Sequence, residues 1–589
     1  MPMPWRSWFV INLRRWLAFC LAAVLLVACG RASAPPRQQL IASVRFDPKT
    51  FNYALNEESP NVFGLLYEGL VHVNGFDGSL KPGLAESWQI SPDRLQVVFQ
   101  LRPDLRWSDG QPLTAADVDF TYNRIYFNPK VPTGARDILR IDQDLPTVRA
   151  AGDRQVIVQT PRPFAPLLRN MALPILPQHA LATSLEQTDS QGNPAFLSTW
   201  GTETDPKQII VNGPFRLQRY QPGQRIIFER NPYFYQRDRD GSPLPKIDRL
   251  VWQIVENSDT QLLQFRSGDL DVLEPIQPGD FSLLKREEQR GNFTIYSGGP
   301  EPLTVYLTFN LNQGRRKGKP LVDPIKSAWF NDVRFRQAIA YAIDRPAIVD
   351  TAYRGLGVVV NSLIIPQSPF YLSPEEGLPV YNFNQQKAEA LLKEAGFQTD
   401  ADGQLRDRQG NPVRFTVITN AENPVRVAMG ARIKGDLARL GIQVDFTPIA
   451  FSSVIDRLSN QLDWEGLILG LTSNIEPNSG ANVWNPQGSL HLFNQQPSES
   501  QAPIEGQQVA PWEAEIYRLF VAAAQELNDD RRKEIYGQAQ RLAQQYLPFI
   551  YLVNRQQIAA VRNTVTPIQF SELGGALWNT EFVSVSADD

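Results

Sequence analysis

Over residues 384–446 two hydrophobic periods alternate, which constrains the fold more than any other property of this chain. Asn384 is followed by Ala388, Leu391, Leu392 and Ala395 at helical spacing, and Gly396 supplies the stop. Residues 414–419 and 442–446 read as strands, with a helix between them ending near Leu440. Strand, helix and strand in succession predict an α/β layer packing. Just upstream, Phe335, Ala338, Ile339 and Ala342 share one helical face, and Asp344 is placed to cap a following helix that tolerates Pro346 in its first turn. Earlier in the chain Leu95, Val97, Phe99 and Leu101 alternate with Arg94, Gln96, Val98, Gln100 and Arg102 after the turn Ser91-Pro92-Asp93, the pattern of a half-buried strand. Asp109-Gly110 is a further turn pair. Thr114 is a helix N-cap with Asp117 three residues on, and Val118, Tyr122 and Ile125 form the inward face. A helix is predicted over 530–546 with Ile535, Ala539, Leu542 and Tyr546 inward, broken by Pro548. The Gln-, Ser- and Pro-rich stretch 489–510 reads as an exposed loop.

At 589 residues the chain exceeds what one hydrophobic core serves, so two or more domains are expected. Its 42% hydrophobic and 20% charged residues fit a folded, water-exposed protein rather than a disordered one. The N-terminus is a processing signal. Arg6, Arg14 and Arg15 precede an apolar run of 14 residues from Trp16 to Cys29, short of the roughly 20 that a membrane span needs. The run ends in Leu26-Val27-Ala28-Cys29-Gly30, which resembles a bacterial lipobox, so Cys29 is the expected lipidation site and residues 1–28 the removed signal. Residues 29–38 then form a lipidated cysteine and polar tether. The mature chain would carry 55 basic against 62 acidic residues, a net charge of −7, with no basic stripe or tail that would suit nucleic acid. With Cys20 in the signal and Cys29 acylated, no thiol remains for a disulfide.

Catalytic chemistry finds no foothold. The three histidines, His72, His179 and His491, are far apart in sequence and no Cys-x-x-Cys occurs, so no metal site or cofactor is expected. Neither a Gly-x-Ser-x-Gly elbow nor a phosphate-binding loop of the Walker type is present. Acids such as Asp456, Asp463 and Glu465 read as solvated surface groups rather than a catalytic pair.

A set of blocks gives a more specific signal. Tyr67-Glu68-Gly69-Leu70, Pro82-Gly83-Leu84-Ala85-Glu86-Ser87-Trp88, Trp107-Ser108-Asp109-Gly110 and Leu113-Thr114-Ala115-Ala116-Asp117-Val118 occur in that order, followed by Gly213-Pro214-Phe215, Arg230-Asn231-Pro232-Tyr233-Phe234, Gly268-Asp269-Leu270-Asp271 and Asn331-Asp332-Val333-Arg334-Phe335-Arg336-Gln337-Ala338. Together they resemble the peptide/nickel-type solute-binding proteins of ABC importers, the OppA/DppA-like family, over nearly the whole mature chain. The resemblance implies an α/β, two-lobed periplasmic-binding-protein fold of type II with an extra subdomain. Lobe I would comprise 39–82, 210–300 and 550–589, its subdomain 83–209, and lobe II 301–549, with crossovers near Gly299-Pro300 and residues 549–551. It implies a monomeric, extracytoplasmic, lipid-anchored receptor, not an enzyme. Such a receptor captures peptides or similar small polar solutes between its lobes and delivers them to a membrane permease and its ATPase. A sensor role, a chelated-metal cargo and, less favoured, an exported hydrolase stay open as alternatives.

The resemblance also places the site. The family carries a lobe II loop, Trp-x-Ala-Asp-Tyr-x-x-Pro, whose aspartate pairs with the α-ammonium of a bound peptide. Here the corresponding stretch is Gly470-Leu471-Thr472-Ser473-Asn474-Ile475-Glu476-Pro477, so Ser473 stands at the aspartate position. Either Glu476 supplies the charge instead or the ligand lacks a free amine there. The expected ligand-binding residues are Tyr53, Asn56 and Glu57 from the first ligand-facing loop, then Thr472, Ser473, Asn474, Glu476, Trp484 and Asn485. One outcome is directly checkable at this level: Cys29→Ala abolishes metabolic labelling by palmitate, and a variant still labelled contradicts the lipobox.

Overall fold

The computed structural model describes residues 38–55, 60–142, 144–497 and 501–586. Their strands and helices form a two-lobed α/β fold. The core of one lobe is a five-stranded sheet in the order Gln443–Ile449, Arg414–Asn420, Gly466–Thr472, Leu303–Phe309, Phe549–Tyr551. The helix Pro424–Ala438 crosses between Arg414–Asn420 and Gln443–Ile449, which pair in parallel. Leu303–Phe309 pairs antiparallel with Gly466–Thr472 on one side and Phe549–Tyr551 on the other. It is buried along six of its seven residues, as a central strand covered on both faces must be. Phe309 stacks on Phe330 at 4.7 Å and meets Phe415 edge-on at 5.4 Å. The helix Val333–Ala342 buries Phe335, Ala338, Ile339 and Ala342 against the same core. Asp344 caps the next helix by accepting from Ala347 N at 3.0 Å, and Asn384 caps Gln385–Glu394 through Lys387 N at 2.9 Å.

The other lobe has a sheet of Gln39–Val44, Arg249–Ile254, Arg225–Arg230 and Phe215–Gln221, the first pair parallel and the rest antiparallel. Beside it stands an antiparallel four-stranded sheet ordered Ala85–Ile90, Gln96–Leu101, Gln155–Gln159, Thr147–Ala151. Here Val97, Phe99 and Leu101 are buried, as their alternation predicts. The sequence blocks of this region are joints of the scaffold. Thr114 and Asp117 form a capping box, with Asp117 Oδ2 accepting from Thr114 N at 2.9 Å. The other oxygen of Asp117 accepts from Gln178 N at 3.0 Å, and Asp109 pairs with His179 at 2.9 Å, so both acids tie the blocks to the 177–179 segment. Gly69 and Gly213 allow backbones to touch: a Cβ at Gly69 would lie 2.5 Å from the Ala172 carbonyl carbon, and one at Gly213 would lie 2.6 Å from that of Leu66.

Two expectations are refined. In the helix Asp529–Tyr546, Ala539 is buried and Ile535 and Leu542, half-buried, pack against the core as predicted, but the most buried stripe also holds Arg532, Tyr536, Gln540, Ala543 and Gln544. Its inward stripe is largely polar because buried carbonyl and carboxylate groups face it. The 489–510 stretch is not uniformly exposed: His491, Leu492, Phe493 and Asn494 are buried, with a short turn of 3-10 helix at Leu492–Asn494.

The chain passes between the two lobes twice. Phe293–Pro300 runs into Leu303–Phe309, and Phe549–Tyr551 runs into Val553–Arg562, the latter pairing antiparallel with Phe293–Pro300. Because Phe309 is fully enclosed by other rings, Phe309→Ala is expected to lower unfolding free energy by about 3–5 kcal/mol in denaturant titrations; a loss under about 1 kcal/mol contradicts this packing.

Candidate functional site

The strand Gly466–Thr472 ends where the two lobes meet, and the loop after it builds the site. Ser473 N donates to Pro302 O at 2.9 Å and Ser473 Oγ to Leu363 O at 3.1 Å, fixing the loop to the chain just past the first crossing. Ser368 Oγ donates to Ile475 O at 2.5 Å. Glu476 then caps the turn Pro477–Gly480, accepting from Asn478 N at 3.2 Å. Between this loop, the short helix Ala481–Trp484 and the 363–364 segment lies a cavity of about 260 Å³. Its walls are Leu363, Ile364, Leu471, Val483, Trp484 and Phe520, with polar edges from Thr472, Ser473 and Asn474. Apolar walls with a few placed polar groups suit a small organic ligand.

The structure brings together Thr472, Ser473, Asn474, Glu476 and Trp484 around this cavity. Trp484 is 5% exposed, tilted against Phe520 at 5.7 Å and edge-on to Phe549 at 5.8 Å, so it is a wall anchored in the core. Asn485 lies apart, in a narrow crevice between the lobes shared with Asp137 and Arg140. Tyr53 also lies apart: its ring packs on Phe63 at 5.4 Å and Tyr126 at 6.3 Å, and burial pushes its hydroxyl well above the usual tyrosine range. Asn56 and Glu57, like Cys29, fall outside the described residues.

Glu476 is already engaged. Its carboxylate is 6% exposed and accepts from Arg532 Nη2 at 2.8 and 2.9 Å, with Tyr536 Oη at 3.5 Å. Arg532 reaches it from the helix Asp529–Tyr546, its guanidinium lying 4.3 Å over the Phe370 ring. Burial pulls the Arg532 pKa down, but the Glu476 carboxylate outweighs it and holds the pKa above its ordinary value. A carboxylate satisfied in this way shapes the loop and is not left open to a ligand amine. Arg532 was not legible as a site residue, because an arginine within a charged helix reads as solvated surface. Its only sequence signal is the i, i+4 polar series Arg532, Tyr536, Gln540 and Gln544.

The opposite lobe closes on this loop. Asn478 Nδ2 donates to Ile138 O at 3.4 Å, and Ala165 N donates to Ala524 O at 2.8 Å. Ile475 lies over Gly78, where a Cβ would sit 2.2 Å from Ile475 Cδ1. Among the described residues there is no group of three or more His, Cys, Asp or Glu side chains able to hold a metal, and no helix is long and apolar enough to cross a membrane.

Comparison with known proteins agrees with this architecture. A family model described as "Bacterial extracellular solute-binding proteins, family 5 Middle" matches residues 79–494. A probable ABC transporter-binding protein of Deinococcus radiodurans is 30% identical over 86% of this chain and 85% of its own. A dipeptide-binding protein of Escherichia coli is 26% identical over 90% of each. In fold, the periplasmic binding protein MelB of Agrobacterium fabrum, solved in complex with stachyose, superposes with a TM-score of 0.78 at 21% identity, covering 94% of this chain and 85% of that one.

Because the Glu476–Arg532 pair is buried, removing one partner strands a charge. Glu476→Gln is expected to cost about 3–5 kcal/mol of stability in chemical unfolding; an unchanged midpoint contradicts a buried pair.

Proposed function

Starting from the fact that this chain belongs to the family 5 bacterial extracellular solute-binding proteins, we propose that it captures a peptide or similar small polar solute in the cavity beside Thr472–Asn474 and passes it to an ABC permease. Members of this family are binding receptors that act outside the cytoplasm, not enzymes. The observation that carries the reading is the 260 Å³ cavity in lobe II, walled by Trp484, Phe520 and Leu471 and edged by hydroxyl and amide groups of the loop that the other lobe touches. A ligand there touches the Ser473 loop while the other lobe lies against the same loop through Ile475 and Asn478, so its binding energy would favour the closed arrangement.

In this reading lobe I comprises 39–82, 210–300 and 550–589 with its subdomain at 83–209, and lobe II comprises 301–549. The two crossings serve as hinges. Asn485, at the interlobe crevice, would be a closure contact rather than a ligand contact. Acylation at Cys29 would anchor a monomer to the membrane, with residues 30–38 as the tether.

One observation favours a second cargo class. Ser473 stands where the family's amine-pairing aspartate is expected, and Glu476 is occupied by Arg532. A peptide would therefore bind without an acidic clamp on its ammonium, and a solute lacking a free amine fits the loop equally well. Stachyose in MelB is an instance of such a solute on the same fold.

Native mass spectrometry of gently purified protein is expected to show a co-purified solute mass. That solute, added back at a hundredfold excess over Kd, should add about 2.7 kcal/mol of stability. The absence of both a peptide mass and any shift across peptide libraries rules out the peptide cargo.

A further inference from the structure

The lobe built on the sheet of Gln39–Val44 carries a cavity of about 760 Å³ that shares no lining residue with the one beside Thr472–Asn474. It is enclosed by the hairpin of Val71–Val73 and Leu80–Pro82, by Arg102 at the end of the strand Gln96–Leu101, by the 235–246 loop and by the C-terminal stretch 567–582. These walls are tied to one another: Lys246 N donates to Glu581 O at 2.9 Å, and Ser571 Oγ donates to Gly75 O at 2.6 Å.

Charge is sorted between the walls. The hairpin, the strand end and the loop supply Lys81, Arg102, Arg237, Arg239 and Lys246. Among the described residues only Lys246 makes a close ion pair, with Asp238 at 2.6 Å. Arg102 donates to Gly83 O at 2.8 Å and lies 4.9 Å over the Tyr235 ring, and Arg237 donates to Gly241 O at 3.1 Å. Lys81, Arg237 and Arg239 are exposed at the rim.

The C-terminal wall offers acceptors instead. Asn579 is 2% exposed, yet its Oδ1 has no hydrogen-bond partner among the described residues. A buried amide oxygen left in that state is costly. Two residues on, the Glu581 side chain likewise pairs with no other side chain among the described residues. Burial, with the charge of the nearby Glu68 adding to it, pushes the Glu581 carboxyl up to about 7 against the pull of His72. His72 already serves Glu68, 3.5 Å away. Trp578 and Phe582 add aromatic rings of the kind that attract an ammonium.

We propose that this cavity is a second ligand site, separate from the cargo cavity, for a small zwitterion: its ammonium donates to Asn579 Oδ1 and the Glu581 carboxylate, and its oxyanion lies on Lys81, Arg102, Arg237 and Arg239. An ammonium supplies the donors that Asn579 and Glu581 lack, and guanidiniums suit carboxylate and phosphate oxygens. A simple anion would leave the C-terminal wall unsatisfied, and a simple cation would face the rim. A free amino-carboxylate and an ethanolamine-phosphate lipid headgroup share this chemistry. The site goes beyond the receptor reading and does not depend on it, since that reading is tested by the co-purified mass and concerns the other cavity.

Calorimetry on the full chain with ε-aminocaproate and with glycerophosphoethanolamine tests it. Both probes keep an ammonium and an oxyanion across neutral pH. At least one should bind wild type, and both Glu581→Gln and the rim variant Lys81→Gln/Arg239→Gln should weaken that binding about tenfold. The rim residues are exposed, so that variant reports on the site even if Glu581→Gln fails to fold. Wild-type affinity should rise several-fold between about pH 6 and about pH 8 as Glu581 ionises, and in Glu581→Gln it should stay level. Binding of glycerophosphoethanolamine alone assigns the site to a lipid headgroup, and binding of ε-aminocaproate alone assigns it to a free solute; either supports it. No binding of either probe, equal binding of N-acetyl-ε-aminocaproate, or affinity unchanged in both variants overturns it.

Discussion

Everything at the lobe junction depends on how the chain crosses it. The strands Phe293–Pro300 and Val553–Arg562 run antiparallel, and Asn554, 1% exposed, locks the next turn of chain by accepting from Val305 N at 2.9 Å and donating to Leu303 O. One residue on, Arg555 is fixed to Glu301. These few bonds set where the central strand of the second lobe begins. That strand pairs with Gly466–Thr472, whose end carries the cavity loop. A shift in the crossing would therefore move Ser473, whose backbone is bonded to Pro302, before it moved anything in either core. The cores have their own closure in aromatic packing around Phe309 and in the sheet of Gln39–Val44, so rearrangement is cheapest between them.

The cavity is apolar toward Trp484 and Phe520, with loop hydroxyl and amide groups at its rim. Beside it the Glu476–Arg532 pair settles the shape of the loop by holding the loop's own carboxylate internally. Such a pair contributes more to specifying one arrangement than to net stability, since each ion gives up hydration that the other must replace. The same commitment accounts for why a loop lacking the family's aspartate still adopts a defined course.

Much of this was legible in the sequence. The capping box at Thr114, the Asp344 and Asn384 caps and the apolar face of Phe335, Ala338, Ile339 and Ala342 depend on neighbours within a few residues, and local spacing reports them directly. So does the alternation of 95–101. The position of the cavity loop was legible only through family resemblance, which placed Thr472, Ser473, Asn474, Glu476 and Trp484 around one space. What spacing could not report is pairing at a distance. Arg532 lies 56 residues from Glu476, and the helix between Asp529 and Tyr546 turns a polar stripe inward because its partners are remote carboxylate and carbonyl groups. Tyr53 shows the converse: placed in a ligand-facing loop by resemblance, it is held in an aromatic cluster with Phe63 and Tyr126.

The central claim is that two separately packed lobes close on a solute at this junction. Small-angle X-ray scattering tests it directly, comparing protein freed of solute by unfolding and refolding with the same protein after its co-purified solute is returned. The account predicts a smaller radius of gyration with solute and a return to the larger value when it is dialysed away. Identical scattering in both states, with solute shown to be bound, would contradict it.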